Sequence, residues 1–202
     1  MDANVSVVRC FIAVHLPDGV RAALASLEDR LKARRHPFVK WVDPGSLHLT
    51  LKFLGNAAVD AIPRIVDAMS GAARPHLPFR LELAGTGAFP GWQRPQVVWA
   101  GVGGDLDRLA ALQKDLEAAV SPLGFPTEPR PFSAHLTLGR LRDHVNADDR
   151  RRFGQFAQTV AFDTSLWFDV EAVRLIKSQL TPEGPIYSDL AVVRLGLPPP
   201  HI

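Results

Sequence analysis

A ten-residue segment occurs twice in this chain, and the repeat constrains the fold more than any other feature. Ser46-Leu-His-Leu-Thr-Leu-Lys-Phe-Leu-Gly55 aligns with Ser133-Ala-His-Leu-Thr-Leu-Gly-Arg-Leu-Arg142. Six of the ten positions agree, and the offset is 135 − 48 = 87 residues, a little under half of the 202. A unit present only twice predicts two halves built on one plan rather than a solenoid, which needs three or more stacked units. In each copy leucines alternate with polar residues, the pattern of a strand with one buried face. Leu47, Leu49 and Leu51 then belong to the core, and His48, Thr50 and Lys52 share the opposite face. In the second copy Leu136 and Leu138 point inward while His135 and Thr137 point out. Each strand therefore presents an imidazole beside a hydroxyl.

The segments around the repeat suggest a mixed chain. Val5 to Leu16 reads as a strand ending at Pro17. Asp18 is placed to cap a helix whose apolar face is Val20, Leu24, Leu27 and Leu31. Phe38 to Val42 is a short extended piece, and Ile62 to Met69 marks a second helix. Phe79 to Ala88 and Gln96 to Val102 are strands. Asp105 can cap a helix with Leu106, Leu109, Leu112, Leu116 and Val120 on one face, and Asn146 can cap another through Gln158. Val170 to Leu180 and Ile186 to Leu195 form a closing pair of strands. Hairpins join some strands and helices join others, so the class is α+β rather than a regular βαβ array.

Composition narrows the chemistry. One cysteine, Cys10, excludes an intramolecular disulfide and a multi-cysteine zinc site. The apolar stretch at the start is broken by Arg9 and His15, and no small-residue cleavage pattern follows it. It reads as a strand and not a signal peptide, which makes the cytoplasm the expected location. No run approaches the ~20 apolar residues that cross a bilayer, so no membrane association is expected. With 23 basic and 21 acidic residues the net charge is only +2, against a dedicated nucleic-acid coat. Two basic clusters, Arg30 to Lys40 and Arg150 to Arg152, are either solvated helix ends or surfaces that attract phosphate.

Two histidines facing each other across a groove suit general acid–base catalysis, since ordinary values near ~6.5 let one be neutral while the other is protonated. In-line displacement at phosphorus asks for that pair, because the attacking and leaving oxygens lie on opposite sides. Thr50 and Thr137 would donate hydrogen bonds to the non-bridging oxygens. Neither copy places a Cys, Asp or Glu at ligand spacing, and two histidines leave a zinc site short of three protein ligands. No metal and no cofactor are expected.

The two His-Leu-Thr-Leu motifs resemble those of the two-histidine (2H) phosphoesterase superfamily, and within it the RNA 2′,3′-cyclic phosphodiesterases, also called 2′-5′ RNA ligases. Arg9-Cys-Phe-Ile-Ala13, Trp41-Val42, Lys52-Phe-Leu-Gly55, Arg94-Pro-Gln-Val-Val-Trp-Ala-Gly101 and Arg130-Pro-Phe132 carry the resemblance through most of the chain. It implies one domain, residues 1–202, of two interleaved pseudo-symmetric lobes, each with an antiparallel sheet and helices, around a shared groove. It implies hydrolysis of a terminal RNA 2′,3′-cyclic phosphate to a 2′-phosphomonoester. His48 would be the proton donor to the 3′-oxygen and His135 the proton acceptor from water. Reverse 2′-5′ ligation would use the same pair. Arg130 is a further candidate for the phosphate, and Phe11 and Trp41 for stacking on a base. Lys52, about 13 Å along the strand from His48, is read as a rim charge, and Arg140 is given no role. The expected partner is an RNA 3′ end or nucleotide bearing the cyclic phosphate, met by a monomer. Two rival readings are an RNA-end binding module and a cyclic phosphodiesterase for a small nucleotide, such as a cyclic phosphate of an ADP-ribose derivative.

Overall fold

In the computed structural model, which describes residues 6–162, 166–182 and 184–196, the alternating segments assemble into two antiparallel sheets. The elements run β1 (Val7–His15), α1 (Asp18–Lys32), β2 (Val39–Trp41), β3 (His48–Ala58), α2 (Ile62–Ala73), β4 (Phe79–Phe89) and β5 (Val97–Gly104). Then come α3 (Leu106–Val120), β6 (His135–Leu141), α4 (Ala147–Gln158), β7 (Trp167–Val170), β8 (Ala172–Thr181) and β9 (Gly184–Arg194). One sheet has the order β3-β1-β8-β9 and the other β2-β6-β5-β4-β7. The fold is bilobal α+β. The first motif strand, β3, is an edge strand of the four-stranded sheet, and the second, β6, lies inside the five-stranded one.

Helix amphipathicity explains the packing. Val20, Leu24, Leu27 and Leu31 of α1 are buried, as are Leu109, Leu112, Leu116 and Val120 of α3. Burying one such leucine contributes roughly 1.5–3 kcal/mol. α2 and α3 lie against the four-stranded sheet and α4 against β4. One continuous apolar cluster takes in Ile12, Val14 and Leu49 of one sheet and Leu83, Val98 and Leu136 of the other, so the lobes share a core.

Local details depart from the sequence expectations. Pro17, not Asp18, is the N-cap of α1; Asp18 is the first helical residue and pairs with Arg21. Asp105 does occupy the N-cap of α3, but its carboxylate accepts from the Arg80 amide instead of capping its own helix. Asn146 caps α4 through the Asp149 amide at 2.9 Å. β7, which the sequence pattern does not separate from β8, is an edge strand of the five-stranded sheet. Val5, the expected start of the first strand, lies outside the described residues. Of the basic clusters, Arg150 is buried and donates to the carbonyls of Pro95, Arg142 and Val145, while Arg151 and Arg152 pair with Asp148 and Asp149. Among the described residues no helix is long and apolar enough to cross a membrane.

Candidate active site

Both copies of the motif carry the same irregularity. Along β3, Thr50 pairs with Ala13 and Lys52 with Ile12, leaving Leu51 as an extra residue. Along β6, Thr137 pairs with Trp99 and Gly139 with Val98, leaving Leu138 extra. The two bulges stand 138 − 51 = 87 residues apart, the offset of the repeat itself. An extra residue reverses which face the following side chains occupy. Leu51 and Lys52 are therefore both buried, as are Leu138 and Gly139. Phe53 and Arg140 emerge instead on the face that carries the histidines and threonines.

This corrects the expected placement of Lys52. The lysine is not a rim charge on the His48 face but a buried one, 7% exposed. Its ammonium lies 2.8 Å from the Glu117 carboxylate and donates to the Pro126 carbonyl at 2.6 Å. The other carboxylate oxygen of Glu117 accepts the Glu128 amide at 2.9 Å. The first motif strand is thereby tied to the loop that leads into the second motif. At the matching position Gly139 does the opposite job. A Cβ there would sit 2.9 Å from Cε3 of Trp41, so only glycine lets that indole close on β6.

The histidines are held alike. Nδ1 of His48 lies 2.8 Å from the Ser46 carbonyl oxygen, and Nδ1 of His135 lies 2.7 Å from that of Ser133. A carbonyl can only accept, so each Nδ1 carries the proton and each Nε2 is left to exchange one. Both rings stand in aromatic surroundings. His48 stacks on Phe11 at 4.5 Å between centroids and meets the edge of Tyr187 at 5.1 Å. His135 meets Phe89 edge-on at 5.0 Å and lies 6.3 Å from Trp99. Trp99 fits because its cross-strand partner is Gly87, whose Cβ would fall 2.1 Å from the indole. Burial lowers the His48 pKa below the ordinary histidine value; the Ser46 hydrogen bond acts against this and the nearby His15 with it. His15 is the register partner of His48 and is lowered too, chiefly by burial and then by Arg174 and Arg21.

The remaining expected site residues divide. Thr50 and Thr137 follow their histidines on the same strand face. Residues of β3 and β6 approach within 8 Å, Cα to Cα, which brings the two motif strands together. Phe11 is 3% exposed with its ring against His48, so it supports the imidazole and offers no free face to a base. Trp41 packs on the core, 6.3 Å from Phe153, with the Lys32 ammonium over its ring. Its ring is committed to those neighbours. Arg130 is highly exposed and rests on Glu128 of its own loop at 3.4 Å. The residues that sequence reasoning passes over are Phe53, 66% exposed and 6.1 Å from Phe11, and Arg140, whose charge reaches Tyr187. The structure thus aligns His-X-Thr-X-X-Phe on one strand with His-X-Thr-X-X-Arg on the other. Among the described residues no three His, Cys, Asp or Glu side chains gather where a metal ion would sit.

Comparison with known proteins agrees with this arrangement. Residues 14–99 and 104–187 match the family described as LigT like Phosphoesterase. An RNA 2′,3′-cyclic phosphodiesterase of Methanothermobacter thermautotrophicus is 36% identical over 188 residues, 93% of this chain and 99% of that protein. One from Archaeoglobus fulgidus is 36% identical over 194 residues, 92% of this chain and 99% of that protein. The crystal structure of a Thermus thermophilus protein superposes with a TM-score of 0.76 at 33% identity, covering 93% of this chain and 98% of that one.

Proposed function

Because the chain belongs to the LigT-like phosphoesterase family, we propose that it hydrolyses RNA 2′,3′-cyclic phosphate ends to 2′-phosphomonoesters, using His48 and His135 as an acid–base pair. The observation that carries this reading is the matched preparation of the two imidazoles. Each donates Nδ1–H to the carbonyl two residues upstream, at 2.8 and 2.7 Å, and each sits at the first residue of a motif strand. A ring held this way is a base at Nε2 when neutral and an acid at Nε2 when protonated. Water attacks phosphorus while Nε2 of His135 takes its proton. The P–O3′ bond breaks as Nε2–H of His48 protonates the leaving oxygen, and the phosphate stays on O2′. Thr50 and Thr137 donate to the non-bridging oxygens, and the Arg140 guanidinium offsets their charge, as fits a cation on the same face as His135 and Thr137. Phe53 offers a free ring for the base of the terminal nucleotide.

With a 5′-hydroxyl in place of water the same pair in the same roles forms a 2′-5′ bond: His135 takes the hydroxyl proton and His48 protonates O3′ as the P–O3′ bond breaks. No metal is needed for either reaction, since both proton transfers are served by side chains. All of these groups come from one 202-residue chain, so a monomer suffices. The test is incubation with adenosine 2′,3′-cyclic phosphate and with a cyclic-ended RNA oligonucleotide, followed by identification of the product. A 2′-phosphomonoester supports the reading. A 3′-phosphomonoester, or binding without turnover, refutes it and favours a different bond cleavage or a binding module.

A further inference from the structure

Lys40 and Arg140 are register partners across β2 and β6. Residues directly opposite on an antiparallel pair point to the same face, with Cβ atoms roughly 4.5–5.5 Å apart. Their neighbours mark the other face: Val39 and Leu141 are buried, and Trp41 packs on the core opposite Gly139. Lys40 therefore stands beside Arg140 on the face of β6 that carries His135 and Thr137, and both are exposed. Like charges set directly opposite one another destabilise a sheet. Other exposed arginines, Arg80, Arg108, Arg130, Arg151 and Arg152, each lie within 4.0 Å of a carboxylate. Among the described residues, Lys40 and Arg140 have no acidic partner within 4.0 Å. Arg9, on the Phe11 face of the other sheet, has none either, and its charge reaches Tyr187 as Arg140's does. Lys40 and Arg140 are thus adjacent uncompensated cations on one strand face, an arrangement that is relieved by a ligand carrying more than one negative charge.

We propose that Lys40 forms a second anion subsite next to Arg140, which takes the phosphodiester on the 5′ side of the terminal nucleotide. The inference rests on the cyclic phosphodiesterase reading and deepens it. Arg140, on the same strand as His135, serves the reacting phosphate. Lys40, one strand further out on the edge of the sheet, reaches the next phosphate of the chain. A cyclic mononucleotide lacks that phosphate, so Lys40 selects an RNA strand over a free cyclic nucleotide.

The experiment compares adenosine 2′,3′-cyclic phosphate with the dinucleotide ApA bearing a 2′,3′-cyclic end, using wild type, Lys40→Gln and Lys40→Arg. For the dinucleotide, Lys40→Gln should raise KM roughly three- to tenfold with kcat little changed, the scale of one exposed charge-assisted contact. The slope of log(kcat/KM) against log[salt] should become shallower by about 0.7, one phosphate contact on a single strand. The mononucleotide should respond to neither variant, and Lys40→Arg should restore the dinucleotide KM. Since Lys40→Gln removes a like-charge pair, its Tm should not fall, which excludes unfolding as the cause. Equal losses on both substrates, or no loss on the dinucleotide, would overturn the subsite while leaving the activity intact. Wild-type protein that turns over neither substrate would overturn the activity reading and the subsite with it.

Discussion

Replacing Lys52 by methionine tests whether the two motifs are mechanically joined. The Lys52 and Glu117 side chains are 6% and 10% exposed, and their charged atoms are 2.8 Å apart. Methionine matches the lysine stem but removes the ammonium, so Glu117 keeps only the Glu128 amide as a partner. Breaking a buried pair by removing one member costs about 3–5 kcal/mol, because the remaining charge has lost both water and its counter-ion. In a chain of this length each kcal/mol moves Tm by roughly 2–4 °C, so Lys52→Met should lower Tm by about 6–20 °C. The Pro126 carbonyl loses its donor as well, which loosens the loop running to His135. Urea and thermal unfolding measure the effect, with kcat/KM read on the same samples. The double variant Lys52→Met/Glu117→Gln should recover most of the loss, because the substituted amide carries no stranded charge and its oxygen can still accept from the Glu128 amide. Lys52→Met within about 0.5 kcal/mol of wild type, the range of an ordinary surface change, would show that the pair is not a buried fastening. A double variant no better than the single one would refute the charge argument.

Three further outcomes follow from the site. The pH profile of kcat/KM should be bell-shaped, with limbs that belong to the histidine pair rather than to either ring alone. In the proposed mechanism His48 is the acid and must be protonated. Burial lowers its pKa, which draws the pair's kcat/KM profile towards acid. In kcat the profile should move back up, because an anionic phosphodiester beside the ring favours the imidazolium; a profile unmoved between the two would contradict this. Turnover should survive EDTA, and loss on chelation with recovery on adding a divalent ion would refute the acid–base account. Phe53→Ala should reduce kcat/KM on a cyclic nucleotide about five- to a hundredfold, the cost of one base–aromatic stack, and an unchanged value would remove Phe53 from the groove.

Much of this site can be read from the residues. Alternating leucines around His48 and His135 identify both strands and the face each histidine takes, because period-2 burial leaves few alternatives over five residues. The break in that alternation is legible too, although strict alternation carried past it puts Lys52 on the wrong face. Leu49 and Leu51 are followed by Leu54, and Leu136 and Leu138 by Leu141, a step of three in each copy at the same place. That step is the bulge, and it moves Lys52 inward and Phe53 and Arg140 outward. Other features have no local signal. Which side of a sheet Phe11 and Trp41 face depends on strand order, and the partner of Lys52, Glu117, is 117 − 52 = 65 residues away on α3. β7 escapes a reading of the pattern because Trp167–Val170 is four residues long and runs almost directly into β8.

The central claim is that two imidazoles act together on one phosphate. Steady-state hydrolysis of adenosine 2′,3′-cyclic phosphate by His48→Ala, His135→Ala and the double variant tests it most directly. Each single change should lower kcat by about 10²–10⁴, the worth of a positioned acid or base. Groups that act as a unit are strongly non-additive, so the double variant should lose little more than the worse single one. Near-normal turnover by His135→Ala, or losses that multiply in the double variant, would contradict the two-histidine mechanism.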